Sequence, residues 1–138
     1  MTMQAIDLEQ ALVADFMHAG VLACAPETSL ADVARMMVRH RIHCVVVLGD
    51  AGETAQQWGV LTDLDLVEMV AAGRIDERTA GDCAAGPTVV VHPGDTLRHA
   101  AQLLADNGVA HALVAKAGPA RPLGVLSTLD IARAIVGE

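Results

Sequence analysis

The eight residues GVLTDLDL at 59–66 return as GVLSTLDI at 124–131. A chain of 138 residues that writes nearly the same stretch twice is expected to fold as two copies of one supersecondary unit. The register extends well beyond these segments: Asp15 pairs with Asp82, Pro26 with Pro93, Leu30 with Leu97, Ala34 with Ala101 and Val47 with Val114, each at an offset of 67. Gly59 with Gly124, Leu61 with Leu126, Thr62 with Ser127 and Asp65 with Asp130 pair at an offset of 65. The second copy is therefore shorter in the stretch before its GVL segment, among Gly, Pro and polar residues where hairpin loops accept a change of length.

Within each copy the apolar residues change period in the same order. Leu30, Val33, Ala34, Met37 and Val38 form the stripe of an amphipathic helix, repeated by Leu97, Ala100, Ala101, Leu104 and Ala105. Ser29 with Asp32 three residues on supplies a helix start. A short apolar run, CVVVL or ALVA, then a loop, then WGVL or LGVL reads as two strands paired in a hairpin. A second helix follows, with Thr62 or Ser127 at its N-cap. Each half is thus strand, helix, strand, strand, helix, behind a short lead-in, and the fold class is α/β of the mixed α+β kind.

Composition limits what such a unit can do. The chain carries 17 Asp and Glu against 9 Lys and Arg, a balance that opposes binding to a phosphate backbone, so nucleic acid is not an expected partner. The longest apolar runs fall far short of the roughly 20 residues needed to cross a bilayer, and MTMQAIDLEQ lacks the features of a secretory signal. A cytoplasmic location without membrane association is the expectation. Cys24, Cys44 and Cys83 lie far apart in apolar surroundings and read as buried, reduced structural residues. The histidines show no metal-ligand spacing, no Gly-rich phosphate loop ends in Lys-Ser or Lys-Thr, and no nucleophile with an adjacent base can be assembled. Neither catalysis, a metal nor a required cofactor is expected.

The element order, the Pro before each first helix, and GVLTDLD with GVLSTLD resemble the cystathionine-β-synthase (CBS) domain family, in which two repeats pack into a pseudo-two-fold pair, the Bateman module. The resemblance covers about Asp15 to Ile135, with repeats at 8–73 and 79–137 forming one compact module. It implies a stand-alone regulatory domain pair that binds adenosine-containing ligands (AMP, ADP, ATP or S-adenosylmethionine) in clefts between the repeats, with output through an unidentified partner protein. It further implies that Asp65 and Thr62 contact ribose in one cleft, with Thr88 and the backbone of Val89 and Val90 facing the base and His43 placed to reach a phosphate. Asp130 and Ser127 would form the other cleft with Val21 and Leu22.

The residues themselves support two readings of Asp65. A carboxylate accepts the two hydrogen bonds that vicinal ribose hydroxyls donate, and the start of a helix favours an anionic group. Thr-x-x-Asp is equally a capping signal worth about 1 kcal/mol with no ligand at all. The alternative function is accordingly a dimerisation scaffold that binds no nucleotide. Leu64 and Leu129 stand where nucleotide-binding relatives often carry a basic residue, while Val21 replaces the polar Thr88 and Ala110 replaces His43. The second cleft is expected to be the weaker one. The family's usual association through helices, and the apolar positions after Thr62 and Ser127, predict a homodimer.

Overall fold

The computed structural model describes residues 7–49, 58–86, 89–116 and 122–138. The stretches 50–57 and 117–121, read from the sequence as the hairpin connections, and Thr88 lie outside the described residues. The elements run α1 (Val13–Phe16), β1 (His18–Ala19), β2 (Ala23–Cys24), α2 (Leu30–His40), β3 (Cys44–Leu48), β4 (Trp58–Thr62), α3 (Asp63–Ala71), α4 (Ala80–Cys83), β5 (Val90–Val91), α5 (Leu97–Asn107), β6 (His111–Val114), β7 (Gly124–Ser127) and α6 (Thr128–Val136). The strand-helix-strand-strand-helix order read from the apolar periodicity is present in both halves. The lead-ins add the short helices α1 and α4 and the strand β1.

The chain divides into two compact units that exchange these lead-ins: Leu22–Gly86 forms one, and Met1–Val21 joins Pro87–Glu138 in the other. In the Leu22–Gly86 unit the sheet order is β2-β3-β4, with β2 parallel and β4 antiparallel to the central β3. In the other unit β5 is parallel and β7 antiparallel to β6, and β1 adds antiparallel to β7. The bridge between Val60 and Ala85 occupies in the first unit the place that His18 with Val125 occupies in the second.

The two cores are built from equivalent positions. Leu30, Val33, Met37, Val45, Val47 and Leu61 are buried in one; Leu97, Ala100, Leu104, Ala112, Val114 and Leu126 are buried in the other. Val13 of α1 completes the core of the unit containing the second repeat, and Ala80 of α4 that of the first. Each lead-in is tied to its host unit by an apolar plug as well as by backbone hydrogen bonds.

Helix ends follow local chemistry. Ser29 and Thr96 cap α2 and α5, their hydroxyls accepting from the amides of Asp32 and His99. Both helices end in a left-handed residue, Gly108 after α5 and Arg41, at φ 53°, after α2. Arginine accepts there a conformation that costs a glycine nothing. Cys44 is buried, as its apolar setting indicated, whereas Cys24 and Cys83 are half-buried; none forms a disulfide. Burial, then the carboxylates of Asp65 and Asp63, pushes the Cys44 thiol up to about 12, so it is a neutral packing group.

The Gly of each GVL segment has a steric cause. A Cβ on Gly124 would overlap the His18 backbone carbonyl oxygen, while one on Gly59 would sit 3.0 Å from the Ala85 carbonyl oxygen and 3.1 Å from the Ala84 Cβ. Gly124→Ala therefore forces β1 off β7 and should cost on the order of 1–3 kcal/mol, more than Gly59→Ala. Urea denaturation of the two variants measures the difference; equal losses would mean that the close approach of β1 is not what requires glycine.

Candidate functional site

Each GVL strand runs directly into its helix, placing the hydroxyl residue at the N-cap and the aspartate three positions later. At α3 the Thr62 hydroxyl accepts from the Asp65 amide at 3.3 Å, and Asp65 Oδ2 accepts from the Thr62 amide at 2.8 Å and from its hydroxyl at 3.1 Å. At α6 the same capping box joins Ser127 and Asp130 at 2.8, 3.1 and 3.3 Å. Both aspartates are caps by geometry. The box uses one carboxylate oxygen, Oδ2, and what else meets the carboxylate is what distinguishes the two sites.

Around Asp65 that second oxygen, Oδ1, takes no hydrogen bond from the described residues, and the side chain is half-buried. It lines an open cavity of about 500 Å³ with Glu68, Met69 and Ala72 of α3 and its C-cap, and with Arg74, Arg78, Asp82 and Cys83 beyond. The cavity thus holds two guanidinium groups and three carboxylates over a partly apolar wall. Asp82 is itself a cap: the Thr79 amide and then its hydroxyl hold the carboxyl below the ordinary range. His43 precedes β3 and is exposed. Its Nδ1 lies 2.8 Å from Oδ2 of Asp63, whose amide donates to the His43 carbonyl at 3.0 Å. Thr62, His43 and Asp65 therefore gather at the start of α3, with Asp63 tying His43 to the helix.

Around Asp130 the setting is reversed. The residue is 1% exposed. Its carboxylate meets His18 Nδ1 at 3.0 Å on Oδ1 and 3.2 Å on Oδ2, and Arg133 Nη1 at 3.4 Å on Oδ1. An ionised carboxylate only accepts, so Nδ1 carries the hydrogen of that contact. A buried charge without such partners would be strongly destabilising. Neither His18 nor Arg133 was singled out in the sequence, yet the repeat register marks both: His18 falls opposite Ala85 at the offset of 67, and Arg133 opposite Glu68 at the offset of 65.

The remaining candidates are sheet residues. The Val89 carbonyl accepts from the Leu113 amide at 3.0 Å, and the Leu22 carbonyl accepts from Val46 at 3.0 Å. In a parallel ladder this alternation leaves the Val90 amide and carbonyl on the side of edge strand β5 away from β6. Val21 and Leu22 are half-buried ahead of β2. Among the described residues no cluster of His, Cys, Asp and Glu is placed to hold a metal ion, and no helix is long and apolar enough to cross a membrane.

Comparison with known proteins places this architecture. The CBS domain model matches residues 13–72 and again 80–137. No curated protein matches in sequence. Among solved structures, the CBS domain pair of protein MJ0100, in complex with 5′-methylthioadenosine and S-adenosyl-L-methionine, is 18% identical with a TM-score of 0.79, over 92% of this chain and 97% of that one. A conserved protein from Pyrococcus horikoshii is 19% identical with a TM-score of 0.80, over 91% and 92%. A CBS domain protein from Pyrobaculum aerophilum complexed with AMP is 19% identical with a TM-score of 0.74, over 86% and 88%. At these identities the likeness is one of fold. The family match over both repeats goes further: the chain belongs to the CBS domain family, as a tandem pair of CBS domains.

Proposed function

We propose that the chain is a regulatory module that holds an adenosine-containing ligand at the start of α3 and passes its occupancy to a partner protein, without catalysis. The observation that carries this reading is the half-committed carboxylate of Asp65. One oxygen anchors the helix and the other is left without a hydrogen-bond partner among the described residues, beside a cavity of about 500 Å³. A vicinal diol donates to such a group, and a nucleoside fits a space of that size. The related folds crystallised with AMP, methylthioadenosine and S-adenosylmethionine support the ligand class.

The charges around Asp65 bear on which member of the class binds. Asp63 and Glu68 flank it on α3, and Leu64 brings no cation. Arg74 and Arg78 line the same cavity and can neutralise one phosphate, but each further phosphate adds charge beside several carboxylates. AMP and S-adenosylmethionine should therefore bind more tightly than ATP.

Calorimetric titration with AMP, ADP, ATP and S-adenosylmethionine tests the reading. Asp65→Ala should weaken binding by on the order of 1.5–3 kcal/mol, the range for a hydrogen bond to a charged group. Its thermal stability without ligand is measured in parallel, because the cap is lost as well. No heat with any of the four at millimolar concentration would leave the scaffold reading in its place.

A homodimer is the second element of the proposal. Leu64, Val67 and Val70 form an exposed stripe along α3, and Leu129, Ile135 and Val136 are exposed on α6. Apolar groups at that spacing favour a helix-to-helix partner, and a second copy offers the same stripe. Sedimentation at tens of micromolar should give twice the monomer mass; a monomer alone would contradict it.

A further inference from the structure

We propose that His18 is a built-in occupant of the second diol site, so that one repeat of this pair is open to a ribose and the other is closed by the chain itself. The proposal rests on the reading of Asp65 as a ribose acceptor. A carboxylate offers about four lone-pair sites. At Asp130 these meet the Ser127 amide and hydroxyl, the His18 ring and the Arg133 guanidinium. Among the described residues Asp65 meets the equivalents of the first two of these groups alone, from Thr62.

The difference lies in two residue identities at equivalent places. Ala85, where the other repeat has His18, carries no donor, and Glu68, where it has Arg133, repels rather than pairs. Of the partners of Asp130, Ser127 and Arg133 belong to its own helix and cap, whereas His18 arrives from the exchanged lead-in. The imidazole is thus the partner that a ligand has to displace.

The geometry of β1 makes His18 a specificity-determining side chain rather than a structural one. The backbone of this strand is held independently of the ring, by pairing of His18 with Val125 and Ala19 with Gly124, and by the Gly20 amide donating to the Leu123 carbonyl at 2.7 Å. The ring itself is 61% exposed, so it can leave Asp130 without dismantling the strand. Removing it would leave Oδ1 of the buried carboxylate with only the 3.4 Å contact from Arg133 among the described residues, closer to the state in which Asp65 already stands.

AMP stoichiometry by equilibrium dialysis tests this, with circular dichroism verifying the fold of each variant. The wild type should bind one AMP per chain and His18→Ala two; Asp65→Ala should weaken the wild-type site at least tenfold, and in the Asp65→Ala/His18→Ala double variant one site should bind AMP as tightly as the added site of His18→Ala. The reciprocal variant, Ala85→His, substitutes an exposed position and carries the occupant to the first site; it should weaken AMP binding at least tenfold. The occupant role is overturned alone if the wild type binds one AMP while His18→Ala also binds one and Ala85→His binds as the wild type does. Two AMP per wild-type chain overturns it as well. No binding by any of the proteins overturns the ribose reading and the occupant with it.

Discussion

The structure turns on a carboxylate set three residues into a helix and shared between two duties. In both repeats the aspartate gives one oxygen to the amide and hydroxyl of its N-cap, at matching distances, and that bond fixes the strand-to-helix corner on which the rest of the unit is built. What remains is a single acceptor held at the positive end of a helix. Left open, as at Asp65, it is an acceptor without a partner among the described residues; met by a histidine and an arginine, as at Asp130, it is part of the interior. The same local fold therefore leaves the carboxylate half-committed or fully met, according to residues outside the motif.

The exchange of lead-ins explains how a duplication that keeps one register produces unequal halves. Each repeat's core is completed by a residue that precedes the other repeat's main body, Val13 in one unit and Ala80 in the other. The residue that meets the GVL strand, His18 or Ala85, is delivered by the same segment. The glycine that opens each GVL segment is the steric counterpart of this arrangement, since the lead-in backbone passes where a Cβ on Gly124 would stand and 3.0 Å from one on Gly59. A change in one lead-in thus alters the chemistry of the partner repeat's aspartate while leaving its own core untouched.

Much of this was legible in the sequence. Element order, the caps at Ser29, Thr62 and Ser127, and the buried positions Leu30, Val33, Met37, Leu97, Ala100 and Leu104 follow from period and spacing, because burial and hydrogen bonding act locally there, whereas Val38 and Ala105 of the same stripes are exposed. The helices after Thr62 and Ser127 were read as apolar, and their outward stripe is the part that a core does not claim. The contact of His18 with Asp130 spans 112 residues and is invisible to any local pattern. Only the repeat register, with histidine opposite alanine, carried a trace of it. Likewise, the half-buried state of Cys24 and Cys83 depends on the exposure of strand and helix edges, which composition does not report. Thr88, read as a base contact, lies outside the described residues.

The central claim, that the two aspartates differ in availability, is tested most directly by amide chemical-shift mapping of the ¹⁵N-labelled protein during titration with AMP. Shift changes should concentrate on the amides of 62–65 at the start of α3 and leave those of 127–130 at the start of α6 unmoved. Changes of equal size at both helix starts, changes confined to α6, or none at either would contradict the account.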